Sequence, residues 1–488
     1  MVAGPGKKLT LTLTTQPDST QSRSMLKGHH ATIPVPYARF PAIDHRLLML
    51  FLSLSFLYSC GTQHKTTTTG IANSPADDSA LHSAHIGISV FDPATNNYLY
   101  NYQADKYFVP ASNTKLFSLY AGMKYLGDSL TGIRYIEGDT ALLVWPAGDP
   151  SVLHPDYPVQ PVIDFLKKQK KPVYISESNW REEAWGTGWS WDDYNDDYMA
   201  ERSALPVYGN VIRWVQQAQQ GKPQSGFGAS PSVYSIPEVN WKVRFTADTG
   251  ARSFFVKRDL DENIYAVTEG REALKTQDVP FVTHGIASAI ELLRDTVGEN
   301  INTDPGFSIR GRAMQVIHTQ PVDSLFRPMM YRSDNFFAEQ TLLMVSNERF
   351  GVMNDERIID TLLKTDLQGL PQKPKWVDGS GLSRYNLFTP EDFVWLLNRM
   401  KDEFGLDRMK KLLPTGGTGT LGNYYRDDGG HIYAKTGSLS GVIALSGYLV
   451  TSQNRLLIFS VLVNNNNGGG TAIRRAVEKF IDGVIRSY

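Results

Sequence analysis

The sequence predicts an α+β protein in which strands from both ends of the chain share one antiparallel sheet. Helices stack on that sheet, and a large inserted domain separates its two parts. Near the front, Ile86, Ile88 and Val90 alternate before a polar turn and a second strand, which is typical of a β-hairpin. Near the end, three consecutive strands precede a final helix. Between them, about 135–310, lie seven of the nine tryptophans, so we expect a separate core there.

Each element follows from hydrophobic periodicity and from turn signals. The polar run from Asp92 to Asn97 separates the two hairpin strands. Apolar residues then recur at the i, i+3, i+4, i+7 spacing, which predicts a buried amphipathic helix over 112–126, ended by Gly127. Toward the end of the chain the predicted elements are strands over 432–436, 442–450 and 455–463 and a helix over 471–485.

Composition excludes several classes of protein. The chain has 488 residues, a formal net charge of −1, 41% hydrophobic and 20% charged residues. These values are typical of a globular protein and argue against a polybasic, nucleic-acid-binding surface. The single cysteine, Cys60, excludes an intramolecular disulfide framework, a zinc ribbon and an iron–sulfur ligand set. We expect no metal, no other cofactor and no nucleic acid partner.

The front of the chain resembles a bacterial export signal. Residues 47–59 are apolar or small and follow Arg46, but they are fewer than the roughly 20 that span a bilayer as a helix. The stretch ending at Cys60 resembles a lipobox, which implies lipidation of Cys60, a membrane anchor and a location in the cell envelope or periplasm. The alternative is an ordinary signal with an incidental cysteine. Residues 1–45 are long for a signal, and a start codon assigned too far upstream explains them.

A first candidate catalytic motif opens the predicted helix with Ser112 and Lys115. Residues three apart share a helical face, so the amine can reach the hydroxyl. Serine needs a base to act as a nucleophile. A lysine serves only if its pKa falls from about 10.4 toward 7, a change of roughly 4–5 kcal/mol. Burial and a second ammonium group can supply that shift, so we expect another lysine in the same site.

Two further motifs follow in order along the chain. Ser333-Asp334-Asn335 precedes an apolar helical run, and Lys435-Thr436-Gly437 ends a predicted strand, where the glycine lets a substrate backbone approach closely. Each motif is weak alone, since 24–27 also matches Ser-x-x-Lys in the presumed leader. Their order on a helix, a loop and a strand matches the set found in class A β-lactamases and penicillin-binding proteins.

From Ala84 to the C-terminus the chain resembles the D-alanyl-D-alanine carboxypeptidase/endopeptidase family, the class C low-molecular-mass penicillin-binding proteins. The long gap between Ser112 and Ser333 also fits that family, which carries an insertion there. Besides the three motifs, the matching stretches are 148–151, 188–193, 338–339, 378–384, 419–421 and 434–439. The resemblance implies a penicillin-binding/serine β-lactamase-like transpeptidase domain, with a five-stranded antiparallel sheet flanked by helices, and a large inserted domain.

The predicted domain organisation has five segments. They are 1–60, leader and lipoprotein signal; 61–79, flexible tether; 80–134, first part of the transpeptidase-like domain; 135–310, inserted domain; and 311–488, second part of the transpeptidase-like domain.

The resemblance also implies a serine-type D-Ala-D-Ala carboxypeptidase/endopeptidase that cleaves peptidoglycan stem peptides and is acylated by β-lactam antibiotics. The implied catalytic residues are Ser112 as nucleophile and Lys115 as base. Ser333 would relay a proton to the leaving amine, and Asn335 would orient Lys115 and the substrate amide. Lys435 would be the cation that holds the substrate carboxylate and lowers the pKa of Lys115. The implied substrate-binding residues are Thr436, Gly437 and Ser438 beside the nucleophile, with the Ser112 and Ser438 N–H groups as the oxyanion hole, and Asp193 and Arg384 at the charged end of the stem peptide.

Two other functions remain open from the sequence. A serine β-lactamase or esterase on the same fold would also acylate on Ser112, but would release a penicilloyl group quickly. A catalytically silent wall-binding lipoprotein is disfavoured by intact residues in all three motifs. Within the matching stretches, 378–384 also has a plain interpretation as a tight turn.

Overall fold

The computed structural model describes residues 78–218, 232–246, 252–306, 313–467 and 469–488. The predicted leader, the lipidation site Cys60 and nearly all of the predicted tether lie outside the described residues. None of the described helices is both long and apolar enough to cross a membrane.

The described residues form sixteen strands and nine α-helices. The strands are β1 His85–Asp92, β2 Asn97–Tyr102, β3 Ser129–Glu137, β4 Leu142–Pro146, β5 Val173–Ile175, β6 Val211–Gln217, β7 Ser232–Ile236, β8 Lys242–Thr246, β9 Phe255–Arg258, β10 Ile264–Thr268, β11 Leu274–Pro280, β12 Ile301–Thr303, β13 Gln315–Pro321, β14 Ile432–Leu439, β15 Val442–Val450 and β16 Leu456–Asn464. The helices are α1 Lys115–Tyr125, α2 Pro161–Lys167, α3 Ala287–Val297, α4 Val322–Tyr331, α5 Asn335–Phe350, α6 Asp355–Lys364, α7 Pro390–Phe404, α8 Leu406–Leu412 and α9 Gly470–Ser487.

Strands from the two ends of the chain form one five-stranded antiparallel sheet in the order β14-β15-β16-β1-β2. The seam joins β1 to β16 and places Ile88 opposite Val461. The predicted shared sheet is therefore confirmed. The predicted end of β14 at Thr436 is too early, because Gly437 stays in the ladder opposite Ala444 and the turn comes only after Leu439.

Helices cover both faces of this sheet. Alternate β15 residues point to opposite sides, so that Ile443 and Leu445 pack with α9 while Ala444 and Tyr448 join the core formed with α1, α5 and α7. The predicted helix over 112–126 begins as a 3₁₀ turn, Ala111–Thr114, and continues as α1. It is buried, as predicted, but it is not amphipathic. Every residue from Lys115 to Met123 is buried, because α4, α5 and α7 pack around it.

The middle of the chain has its own core and its own sheets. Its five-stranded sheet has the order β12-β5-β4-β3-β13, and two three-stranded sheets accompany it. All but two members of its core cluster lie between Ile133 and Ile301. The tryptophans do not act as one group, since Trp214 lies in this core whereas Trp191 is 68% exposed.

Strand pairing bears on the predicted domain boundaries. The predicted boundary at 134/135 passes through β3, and the predicted boundary at 310/311 separates β13 from the rest of its sheet, including the end of β3 that pairs with it. We therefore propose junctions just before β3 and just after β13.

Candidate active site

Ser112 lies in the tight turn that leads into α1. Ala111, immediately before it, has a φ of +48°, in the left-handed region that non-glycine residues seldom adopt. Lys115 is the first residue of α1, and its Nζ lies 2.9 Å from Ser112 Oγ. The contact predicted from the three-residue spacing is therefore present.

The Lys115 amine is held by groups from three parts of the chain. Besides Ser112, it lies 2.6 Å from Asn335 Oδ1 and 2.7 Å from the backbone carbonyl of Ser380. A lysine ammonium group has three donors, and these three acceptors use all of them. The side chain is fully buried, so its amine has a fixed position against the Ser112 hydroxyl.

The loop that carries Ser380 is anchored by the buried carboxylate of Asp378. That carboxylate accepts hydrogen bonds from the Gly381 N–H at 2.8 Å, the Ser383 N–H at 2.6 Å, the Trp189 indole N–H at 3.0 Å and the Asn386 amide at 2.7 Å. The stretch 378–384 is therefore a tight turn, and it also points a carbonyl at Lys115.

The second motif sits at the N-terminus of α5, and each of its residues has a distinct position. Ser333 has a φ of +62°. Asp334 caps α5, because its carboxylate accepts the Phe337 N–H at 3.0 Å. Asn335 presents its oxygen to Lys115 and donates its amide N–H to the Tyr198 carbonyl at 2.9 Å. The cap and this second bond fix the orientation of Asn335.

The third motif brings a second buried amine to the same place. Lys435 Nζ lies 2.8 Å from Ser333 Oγ and 2.7 Å from the Thr436 carbonyl. All three motifs thus meet through direct contacts, Lys115 with Ser112 and Asn335, and Lys435 with Ser333.

Gly437 allows a close approach of backbone segments. A Cβ atom at this position would lie 2.7 Å from the Pro110 carbonyl oxygen and 3.1 Å from the Ser112 nitrogen. The glycine therefore allows β14 to pass directly beside the Ser112 turn, and it also lines the cavity next to Ser112. On the outer edge of β14, Ala434 donates to the Pro414 carbonyl, and beyond it no described strand pairs with that edge.

The two amines both have lowered pKa values. Burial lowers the pKa of Lys115 to about 8, opposed by the negative charges of Asp378, Glu339 and Asp334. Burial lowers the pKa of Lys435 well below its ordinary value, and the positive charge of Lys115 lowers it further. Burial is thus the largest cause of both shifts, and the two neighbouring amines disfavour each other's charged form.

Two cavities border the nucleophile. One, of about 760 Å³, is lined by Ser112, Asn335, Asp193 and Arg384. Arg384 donates to the Ser440 carbonyl at 2.9 Å, and no ion pair joins it to Asp193 among the described residues. The other, of about 350 Å³, is lined by Ser112, Ser333, Thr436 and Ser438. The predicted substrate-binding residues therefore border the same site as the three motifs.

Several contacts at the site were not predicted. The carbonyl groups of Ser380 and Tyr198 act through backbone atoms, for which residue type gives no signal. Glu339 lies in a matching stretch, but only the structure shows that its carboxylate accepts the Ser380 N–H at 2.7 Å.

This architecture is that of a penicillin-binding protein with an inserted domain. The crystal structure of penicillin binding protein 4 (dacB) from Haemophilus influenzae aligns with a TM-score of 0.63 at 21% identity, covering 82% of this chain and 97% of that one. A second crystal structure of that protein, complexed with a β-lactam, aligns with a TM-score of 0.62 at 18% identity, covering 83% and 97%.

The chain belongs to the D-Ala-D-Ala carboxypeptidase 3 (S13) family, whose model matches residues 68–486. A D-alanyl-D-alanine carboxypeptidase of Actinomadura sp. is 27% identical over 434 residues, 80% of this chain and 79% of the relative. D-alanyl-D-alanine carboxypeptidase DacB of Haemophilus influenzae is 24% identical over 423 residues, covering 78% and 85%. The protein is therefore a serine peptidase of the D-Ala-D-Ala carboxypeptidase class.

Proposed function

We propose that the enzyme cleaves the bond after the penultimate D-Ala of peptidoglycan stem peptides through an acyl-enzyme on Ser112. The observation that carries this proposal is the buried Lys115 amine, 2.9 Å from the Ser112 hydroxyl and held by Asn335 and Ser380. The name of the Actinomadura relative supports the same reaction.

In the acylation step, neutral Lys115 takes the Ser112 hydroxyl proton while Oγ bonds to the substrate carbonyl carbon. The backbone N–H groups of Ser112 and Ser438 stabilise the oxyanion; losing one such donor costs about 3–4 kcal/mol in the barrier. The C–N bond then breaks, and the departing amine receives its proton through Ser333. Water attacks the ester in the second half-reaction, with the same groups acting in reverse.

The coupling between the two amines suggests how the substrate makes Lys115 a base. Burial lowers the pKa of both amines, and a positive charge on one disfavours a positive charge on the other. A substrate carboxylate beside Lys435 and Thr436 would favour a charged Lys435, because an opposite charge nearby stabilises the ammonium form. The charge on Lys435 would then lower the pKa of Lys115. The substrate would thereby bring the general base into its neutral form.

The surroundings of the site suggest how the stem peptide lies. The edge of β14 beyond Ala434 can take an extended peptide as an added strand. The larger cavity would then hold the rest of the stem peptide, with its charged end near Asp193 and Arg384.

The proposed location is the cell envelope, with a lipid on Cys60 as the anchor. The sequence before Cys60 supports this. Mass analysis of the mature N-terminus tests it: a lipid-modified Cys60 is expected, and a free thiol at that residue contradicts it.

A penicillin adduct is the direct test of the proposed chemistry. Intact-mass spectrometry after mixing with benzylpenicillin should show one stable adduct, mapped to Ser112, and the enzyme should release D-Ala from a pentapeptide. Ser112→Ala and Lys115→Ala should form no adduct while keeping the wild-type circular dichroism spectrum. Normal acylation of Lys115→Ala excludes that lysine as the base.

Two other outcomes would replace the proposal. Rapid hydrolysis of penicillin without a lasting adduct indicates the β-lactamase alternative. A folded protein with neither an adduct nor D-Ala release indicates a non-catalytic wall-binding lipoprotein.

A further inference from the structure

The smaller cavity contains an arginine that no motif predicted. Arg474 lies near the start of α9, 36 residues after Ser438, and its Nη2 donates to Ser438 Oγ at 2.9 Å. Its side chain lines the cavity of about 350 Å³ together with Ser112, Ser333 and Thr436. A guanidinium group therefore faces the space beside the nucleophile, on the side where β14 presents its hydroxyl groups.

The charge of Arg474 is unbalanced by the protein. Within the described residues no carboxylate forms an ion pair with it, whereas the adjacent Arg475 pairs with Glu478. Gly470 leaves room for the guanidinium group, because a Cβ atom at Gly470 would lie only 3.2 Å from Arg474 Nη1. An arginine with free donors next to a hydroxyl is a typical partner for a carboxylate, which it can bind through two parallel hydrogen bonds.

The rest of the cavity fits a small residue attached to such a carboxylate. Its lining also includes apolar and aromatic side chains, among them Leu421 and Tyr424. The cavity begins at Ser112 and Ser333, the groups proposed to form the acyl bond and to protonate the leaving amine. A leaving amino acid would therefore have its nitrogen at Ser333 and its carboxylate toward Ser438 and Arg474.

We propose that Arg474 is a specificity-determining residue that binds the free carboxylate of the leaving D-amino acid, together with Ser438. This inference rests on the proposed function and adds to it the residue that selects substrates ending in a carboxylate. Lys435 and Thr436 remain on the inner side of this same carboxylate, as proposed above, and Arg474 binds it from the outer end of the leaving residue.

The test compares two substrates that differ only at this group, Nα-acyl-D-Ala-D-Ala and its C-terminal carboxamide. For Arg474→Gln we expect kcat/KM on the acid to fall about 10- to 100-fold, since a charge-assisted hydrogen bond to the substrate is lost. Activity on the carboxamide should change by less than about twofold. Arg474→Lys should recover part of the activity on the acid. Arg486→Gln, which makes the same charge change at an exposed site on α9, should match wild type on both substrates.

The possible results separate this inference from the proposed function. Equal losses on both substrates in Arg474→Gln would show that the arginine only supports Ser438 or the fold, and would overturn the inference. A kcat/KM on the acid that stays at the wild-type value in Arg474→Gln would also overturn it. Hydrolysis that persists in Ser112→Ala would instead refute the proposed function itself.

Discussion

At the scale of single residues, Glu339 links the protonation of the base to the fold behind it. Its carboxylate accepts the Ser380 N–H at 2.7 Å, and the Ser380 carbonyl in turn accepts from Lys115. Its negative charge raises the pKa of Lys115. Burial raises the pKa of Glu339 itself to about 7, so this carboxylate is ionised in the pH range where Lys115 must lose its proton.

Glu339→Gln should move the pH dependence of acylation. The rate of reaction with penicillin is expected to rise with pH as Lys115 becomes neutral, with a midpoint near 8. Glutamine keeps an oxygen for the Ser380 N–H but removes the charge, so the pKa of Lys115 falls and the midpoint moves to lower pH by up to about one unit. Stopped-flow acylation rates measure the midpoint. They are recorded between about pH 5.5 and pH 9.5, a range that includes both of these pKa values.

The matched control for this change is Glu348→Gln, on the same helix α5, which removes a surface carboxylate paired with Arg134. Its profile should coincide with that of wild type. A Glu339→Gln enzyme that is slower at every pH with an unmoved midpoint would assign Glu339 a purely structural role.

Residue spacing alone predicted a contact at this scale only where it is local, whereas the long-range contact of Asn335 with Lys115 was expected from the family resemblance. The Ser112–Lys115 contact follows from helical spacing, because the two residues share one turn. The charge environment of Lys115 has no such signal. It depends on the carboxylates of Asp334, Glu339 and Asp378, which α5 and a distant loop bring near this amine. Arg474 has no sequence signal because only the packing of α9 brings it to Ser438.

At the scale of elements, the site depends on the close approach of β14 to the Ser112 turn. A Cβ on Gly437 would collide with backbone atoms, the Pro110 carbonyl oxygen at 2.7 Å and the Ser112 nitrogen at 3.1 Å. Neither atom belongs to a flexible side chain, so either the turn or the strand would have to move. The distance between them sets the oxyanion hole proposed above.

Gly437→Ala should therefore slow acylation at least about tenfold, because misplacing one oxyanion donor raises the barrier. Its free energy of unfolding should fall by about 1–3 kcal/mol through overpacking. Gly483→Ala is the control, since Gly483 lies on the exposed side of α9 with no atom within 4 Å of its Cβ position. That change should leave acylation intact and stabilise α9 slightly. Wild-type acylation in Gly437→Ala would mean that the turn tolerates the displacement.

Elements were predicted well where their periodicity is simple. The hairpin, β15, β16 and the last helix lie within a few residues of their predicted bounds. The helix α1 was wrongly expected to be amphipathic, because periodicity cannot reveal that α4, α5 and α7 surround it. For the middle region, the pairing of β3 with β13 joins segments far apart in sequence and supports the proposed junctions outside these two strands.

At the scale of the whole molecule, one pocket collects segments from four distant parts of the chain. The Ser112 turn, the start of α5, the Asp378 loop and β14 meet there, and the seam between β1 and β16 closes the sheet behind them. Two amines with lowered pKa values lie buried in this pocket. The burial of these two amines therefore lowers the free energy of unfolding near neutral pH.

This loss of stability predicts that the difference in free energy of unfolding between wild type and Lys115→Met depends on pH. The pKa of Lys115 is about 8 in the folded protein against 10.5 when exposed. Between these values the unfolded chain binds more protons than the folded one, so the stability of wild type relative to the variant rises with pH. The total rise is on the order of 3 kcal/mol. Lost hydrogen bonds in the variant add a constant offset but no slope.

Urea unfolding at several pH values from 7 to 10.5, performed in parallel on both proteins, measures this difference. Lys479→Met, which removes an amine at an exposed position on α9, is the matched control and should run parallel to wild type. A flat difference for Lys115→Met would mean that the folded protein imposes no proton release on Lys115. The amine would then keep its proton up to the pH at which an exposed lysine loses it, and the proposed general base would have to be sought elsewhere among the groups that contact Ser112.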